Sequence, residues 1–424
     1  MSNQQNKVLI IAEHASSKFG GEAILPVHYF RVLRKRGAEC WMIVHDRTRA
    51  ELTAMFPDDL DRISFVPDTS LHKSLLKLGR RLPHTVSYFT LGMISRLSTQ
   101  RIARSIAARL IREHGIDVVH QPIPVAAGEP STLHKLRLPL VIGPLNGGMT
   151  YPPAFGGKDD AAQGSRSLRR LVSDSINRMA PGKLKADMVL VANERTRKAL
   201  PSGVRGEVIE LVENGVDLEL WSAPEGDRAP QAGPTRFLFI GRMVDWKAVD
   251  VLIDALHAAV QAGADVRLDL LGDGPMRAPA EEQVARLGLA PRVTFHGWIK
   301  QSECPARLRE ADALVLPSLY ECGGAVVLEA MACGIPAIAT EWGGPADYLD
   351  ESCGILVPPT SREALVSGFA AAMKRLAADP ELRRSMGRNG RQRILDHYDW
   401  ERKVDRIQEL YAQAIGHHRG AAAK

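Results

Sequence analysis

Short, continuous apolar runs alternate with helical stretches along this chain, and the alternation occurs twice. Val8 to Ala12 is the first such run, the pattern of a strand covered on both faces. Gly20-Gly21 follow it, then a predicted helix carries Ile24, Val27, Phe30 and Leu33 at helical spacing up to Gly37. Further strands are expected at Trp41 to Val44, Ile116 to His120, Leu138 to Gly143, Ala186 to Ala192 and Val208 to Val212. Ser222 to Thr235, rich in Pro, Gly and charge and without apolar period, reads as a linker. A second series then begins. Its strands are expected at Arg236 to Ile240, Val266 to Leu271, Val293 to His296, Ala313 to Leu316 and Ala337 to Ala339, with a helix at Val251 to Val260. Three helices close the chain, at Arg362 to Ala377, Pro380 to Arg388 and Trp400 to Ile415, and Gly420 to Lys424 carry no pattern. Repeated β-α units of this kind predict parallel, doubly wound sheets. The expected fold is therefore α/β, two Rossmann-like domains in tandem whose strand ends face one central cleft, where open sheets take their ligands.

Length and composition fit this. A chain of 424 residues suits two or three ordinary domains, and 45% hydrophobic content supplies their cores. Five cysteines form no CxxC pair, which points to a reducing compartment and away from disulfides and zinc. Met1 to Lys7 is polar, the apolar run after it is too short for a signal peptide, and no run reaches the ~20 residues of a membrane span. The net charge of +6 is uneven. Between Leu71 and Glu113 stand Lys73, Lys77, Arg80, Arg81, Arg96, Arg101, Arg104, Arg109 and Arg112 against the single acid Glu113, interleaved with apolar residues. Such a segment suits an anionic membrane surface or a phosphate-bearing acceptor, and equally a solvated pair of helices with a basic face. No nucleic-acid motif accompanies it, so nucleic acid is not an expected partner. The expected location is cytoplasmic, with peripheral attachment to the inner face of a membrane left open.

The chemistry concentrates in the second half. Leu316-Pro-Ser-Leu-Tyr-Glu321-Cys-Gly-Gly-Ala-Val-Val-Leu-Glu329 runs from a buried strand through a glycine turn into a helix. A helix N-terminus reached through Gly323 and Gly324 offers free N–H groups to an anion. With Glu321 on the turn, Glu329 inside the helix stands roughly 8 Å along the axis from that turn, the scale of a diphosphate-to-ribose distance. Phe239-Ile-Gly-Arg-Met-Val-Asp-Trp-Lys247 places Arg242 and Lys247 after another strand, where two cations can hold a diphosphate and stabilise its charge as a sugar departs. A sugar, a diphosphate and a nucleoside laid end to end would match these four groups. No strand is followed by G-x-G-x-x-G with an acid about 20 residues on, which argues against a dehydrogenase. Asp59-Leu-Asp61 fits a metal motif in form but falls in a polar turn, and no metal site is expected.

As an ordered set, these residues resemble retaining glycosyltransferases of the GT-B fold, family 4 (glycosyl transferases group 1). The matching pieces are Gly241-Arg242 with Lys247, Leu271-Gly-Asp-Gly-Pro275, Val293-Thr-Phe-His-Gly297, Glu321 with Glu329, Glu329-Ala-Met-Ala-Cys-Gly-Ile-Pro336 and Gly343-Gly344. Earlier in the chain, Gly20-Gly21, Asp117-Val-Val-His120 and Asn214-Gly-Val-Asp217 also match. The resemblance implies an acceptor-side domain over 1–221, with a C-terminal helix of about 400–424 returning to it, and a nucleotide-sugar domain over 235–399. It implies that Arg242 and Lys247 hold the donor diphosphate, Glu321 the sugar hydroxyls and Glu329 the ribose. Gly20, Gly21, Gly241, Gly323 and Gly324 would bring backbone to the donor, and Trp298 and Ile299 would lie near its base. His120 would stand near the reacting sugar, and Asn146, Gly147 and Gly148 would shape the acceptor side. Where relatives have Glu-Gly-Phe-Gly this chain has Glu321-Cys-Gly-Gly, and the usual His-x-His is reduced to His120-Gln-Pro.

The implied activity is a metal-independent, retaining hexosyl transfer from a nucleoside diphosphate sugar, UDP favoured, to a hydroxyl of a glycan or lipid-linked acceptor. The donor is a substrate, and no cofactor is implied. Cell-surface polysaccharide or glycolipid synthesis is the expected setting. A nucleotide-sugar epimerase or phosphorylase on the same frame, and a non-catalytic nucleotide-sugar-binding protein, stand as alternatives.

Overall fold

The computed structural model describes residues 6–18, 21–158, 160–223 and 233–422. The chain divides into two compact units, Met1–Gly148 with Ser165–Glu213 and Lys403–Lys424, and Met149–Gly164 with Asn214–Arg402.

The first unit is built on a seven-stranded sheet: β1 Val8–Ile11, β2 Cys40–His45, β3 Ile63–Val66, β4 Val118–Gln121, β5 Leu140–Leu145, β6 Met188–Val191 and β7 Glu207–Glu210, in the order β3-β2-β1-β4-β5-β6-β7. The second carries six strands: β8 Thr235–Ile240, β9 Val266–Leu271, β10 Val293–Gly297, β11 Ala313–Leu316, β12 Ala337–Thr340 and β13 Gly354–Val357, in the order β10-β9-β8-β11-β12-β13. Every ladder between these strands is parallel. The apolar runs are the reason: β1, β2, β4, β5, β6, β11 and β12 are buried along their whole length, as parallel strands covered on both faces must be.

Strand order reverses between β1 and β4 in the first sheet, and between β8 and β11 in the second. Such switch points open a crevice beyond the carboxyl ends of the strands.

Four expectations are corrected. β3 and β13 were not foreseen; both are short, half-buried edge strands. The helix expected to end at Arg388 runs over Pro380–His397. Its glycines pack closely, since a Cβ on Gly387 would lie 2.0 Å from the Gly334 carbonyl oxygen. The final helix, Trp400–Ala422, continues through Gly420 rather than giving way to a patternless tail. Most of the expected linker, residues 224–232, lies outside the described residues, as does Gly20. Among the described residues no helix is long and apolar enough to cross a membrane.

Candidate active site

In the second unit the two loops at the switch point are fixed by glycines that tolerate no side chain. After β8, the Gly241 N–H donates to the Leu271 carbonyl (3.0 Å) and the Met243 N–H to the Asp273 carbonyl (2.8 Å). The loop after β9 therefore lies flat against 241–243. Gly272 (φ +138°) and Gly274 (φ +152°) occupy backbone regions closed to other residues, and a Cβ on either would stand 1.9 and 2.4 Å from the Gly241 and Met243 oxygens. This is the physical content of Leu271-Gly-Asp-Gly. The same holds on the other side of the crevice. The Gly344 N–H donates to the Glu321 carbonyl (2.9 Å). A Cβ on Gly343 (φ +68°) would meet that oxygen at 2.2 Å, and one on Gly344 would meet the Gly323 oxygen at 2.1 Å.

These loops carry the charges. Arg242 leaves the end of β8 exposed, its guanidinium over the Trp246 ring at 5.9 Å. It has no ion-pair partner among the described residues. Lys247 ends a short 3-10 turn, and its ammonium pairs with the Glu321 carboxylate, both side chains largely buried. The two loops are tied again where the Leu319 N–H donates to the Trp246 carbonyl (2.8 Å). Gly324 (φ +70°) then sets the left-handed turn that opens the helix Ala325–Ala332. Glu329 is the fifth residue of that helix, and burial pushes its carboxyl up to about 7. Gly297, at the end of β10, accepts from the Gly272 N–H (2.8 Å), and the Trp298 side chain beyond it is 72% exposed, with Ile299 half-buried. Arg242, Lys247, Glu321, Gly241, Gly323 and Gly324 thus meet around one pair of strand ends, with Glu329 and Trp298 on adjoining elements.

Residues 149–151 join this unit and border the Glu321 turn. The Trp342 indole N–H donates to the Thr150 carbonyl (2.7 Å), and the Tyr151 and Tyr320 rings lie 5.3 Å apart. Nothing in the sequence signalled this. Cys322, the departure from the usual glycine, is half-buried on the same turn.

The first unit differs from expectation. His120 is fully enclosed. Its Nε2–H donates to the Gly143 carbonyl (2.7 Å), its Nδ1 lies 2.7 Å from the Tyr411 hydroxyl, and Tyr29 packs edge-on at 4.9 Å. Burial lowers its pKa to about 4, so the ring is neutral. With both nitrogens engaged inside the protein, His120 ties β4 to β5 and to the last helix. Asn146 is likewise buried, its amide donating to Glu213 Oε1 (2.5 Å). The Gly147 N–H donates to the Thr196 hydroxyl (3.0 Å), and a Cβ on Gly148 (φ +69°) would meet the Arg195 carbonyl oxygen at 2.9 Å, so this glycine pair serves chain packing. Gly21 has open space where a side chain would stand.

One cluster of ligand-type side chains, His45, Asp68 and His72, gathers within 4.8 Å. Its hydrogen bonds oppose a metal. His45 Nδ1 accepts from the Arg47 N–H (3.3 Å) and His72 Nδ1 from the Thr69 N–H (3.2 Å). Each ring therefore carries its proton on Nε2, and His45 turns that proton, not a lone pair, toward Asp68. Asp59 is held by Arg34 Nε (2.8 Å) in a 3-10 segment, as a surface turn.

Comparison with known proteins agrees with the second unit's geometry. Residues 226–393 match the family described as glycosyl transferases group 1. The chain is 30% identical over 207 residues to the glycogen synthase of Mycobacterium tuberculosis, covering 49% of each protein. It is 35% identical over 233 residues to the D-inositol 3-phosphate glycosyltransferase of Salinispora tropica, covering 50% of this chain and 47% of that one. The chain spans about half the length of the curated relatives it matches. Among solved structures, Anabaena Alr3699/HepE in complex with UDP and glucose superposes with a TM-score of 0.64 at 17% identity, covering 96% of this chain and 100% of that one. Two parallel Rossmann-like sheets and the likeness to solved structures give the chain the GT-B fold, and its second unit, with Arg242, Lys247 and Glu321 at the β8–β11 switch point, matches the glycosyl transferases group 1 family over residues 226–393.

Proposed function

We propose that the chain transfers a sugar from a nucleoside diphosphate sugar, UDP favoured, to a hydroxyl of a glycan or lipid-linked acceptor, with retention of configuration and without a metal. The observation that carries this reading is the second switch point. There Arg242 stands exposed without a counter-charge while Lys247 and Glu321 hold one another across the two loops. An incoming diphosphate supplies the anion Arg242 lacks and draws the Lys247 ammonium to itself. Glu321 then turns its carboxylate to the sugar hydroxyls. Arg242 and Lys247 stabilise the charge that grows on the leaving diphosphate, the positive charge a divalent ion supplies elsewhere. Glu329, ionised above about pH 7, accepts from the ribose hydroxyls. Trp298 offers an exposed aromatic face beside the base.

Retention follows in this reading from a front-face route. Glu321 is ion-paired and so a poor nucleophile, and the departing phosphate takes the acceptor proton. The solved relative with UDP and glucose bound supports the choice of UDP. The basic segment 71–113 supports work at the cytoplasmic face of a membrane, in polysaccharide or glycolipid synthesis. The test is release of free UDP from UDP-sugars, measured with and without a glycan or polyprenyl-phosphate-linked acceptor. Acceptor-dependent release is expected. Conversion of the donor sugar without any UDP release would assign an epimerase instead.

A further inference from the structure

The first unit carries an open cavity of about 420 Å³ that the donor site does not use. That volume falls in the range of small-molecule sites, roughly 300–1,000 Å³. Glu13 follows β1 and Arg47 follows β2, so one wall lies beyond the carboxyl ends of the strands, where open α/β sheets take ligands. The opposite wall comes from the helix Ser70–Gly79 and the turns after it, and is apolar: Leu75, Leu76, Leu82 and Leu91. Leu76 is 54% and Leu82 38% exposed, so part of this apolar wall faces solvent.

The charge at this cavity is cationic. Arg80 is exposed, with no carboxylate within ion-pair distance among the described residues. Arg47 faces Asp68 at 3.7 Å and Arg96 faces Glu129 at 3.1 Å. The remaining acid, Glu13, has its pKa raised, chiefly by burial. The surrounding segment, 71–113, holds nine Lys and Arg against one Glu. Cation and exposed leucine on one cavity mouth fit neither a plain sugar nor a free anion.

We propose that this cavity binds a single anionic amphiphile, a phosphate or diphosphate head on an aliphatic chain. Arg80 takes the head and the leucine wall takes the first methylenes of the chain. Each buried methylene contributes about a factor of four in affinity. Binding itself needs nothing from the donor site; its purpose, presentation of a lipid-linked acceptor, rests on the proposed transferase function.

The test is calorimetric titration of the full chain with monomeric dodecyl phosphate, with inorganic phosphate and dodecyl maltoside as single-feature probes. Saturable one-to-one binding, at least about tenfold tighter than either control, is expected. Arg80→Glu and Leu76→Asp, both at exposed positions, should each weaken it by about tenfold or more, while UDP-induced thermal stabilisation stays at the wild-type level. Equal binding of the three probes, indifference to both substitutions, or binding only to phosphatidylglycerol vesicles would overturn the cavity assignment. Loss of the UDP response in the wild type would instead count against the donor site, so the two readings fail separately.

Discussion

The two switch points of this molecule invite comparison. In the second unit, residues at the strand ends keep their polar capacity available. Arg242 stands exposed over Trp246, and Lys247 and Glu321 are joined by a pair that a ligand can exchange. In the first unit, His120 lies within β4 and Asn146 just beyond β5, and both are sealed, their nitrogens committed to Gly143, Tyr411 and Glu213. Position beyond a strand is thus not sufficient for a binding role. What separates the two is whether the fold itself has already satisfied the group.

The contrast can be broken most sharply at Arg242. Arg242→Ala should lower kcat/KM by about 10²–10³, as for loss of a group that stabilises developing charge, with stability changed by less than about 0.5 kcal/mol because the side chain is exposed. Steady-state kinetics and a denaturation curve measure both; a stability loss with unchanged kinetics would reverse the assignment. Lys247→Ala and Glu321→Gln should each cost about tenfold to a hundredfold, and the double variant less than the product, since the two groups interact directly. Strict additivity in that cycle would deny the pair any joint function.

His120→Ala should show the opposite profile to Arg242→Ala. It leaves the Gly143 carbonyl and Tyr411 hydroxyl unsatisfied in the interior, at a cost of about 2–4 kcal/mol, with the donor KM of the folded fraction unchanged. A tenfold change in donor KM without a stability loss would restore the catalytic role. The smallest effect concerns Glu329. Its folded pKa, about 7, lies above the unfolded value, so it stabilises the fold at low pH relative to high, and that contribution is lost as pH rises through about 7. Glu329→Gln should therefore raise Tm relative to wild type at pH 8 but not at pH 4. It should also remove the strengthening of donor binding expected between pH 6 and 8. Identical Tm-versus-pH curves for the two proteins would place Glu329 in an ordinary solvated environment.

Much of the fold was legible because parallel strands covered on both faces must be written as unbroken apolar runs, as in Val8–Ile11 and Ala313–Leu316. The strands that escaped, Ile63–Val66 and Gly354–Val357, lie at sheet edges, where one flank needs no partner and the apolar signal shortens. Helix Pro380–His397 runs on past Arg388 through Gly390, a residue type that often ends helices; Gly387 is required because a Cβ there would lie 2.0 Å from the Gly334 carbonyl oxygen, and Gly390 packs closely on the Met331 side chain. At the site, the glycines of Leu271-Gly-Asp-Gly and Gly343-Gly344 marked the right loops, since steric demand leaves a residue-type signature. Pairings did not. Nothing local to His120 announces that Tyr411, 291 positions away, closes over it, and nothing near Leu76 announces a cavity whose far wall is Glu13 and Arg47.

The most direct measurement is calorimetric titration of UDP into the wild type and the Arg242→Ala, Lys247→Ala double variant. Micromolar binding by the wild type, weakened at least about a hundredfold in the variant, is the expected result, because loss of two charge-assisted contacts to one diphosphate removes several kcal/mol. Equal affinity in the two proteins would show that no diphosphate is held at the β8–β11 switch point.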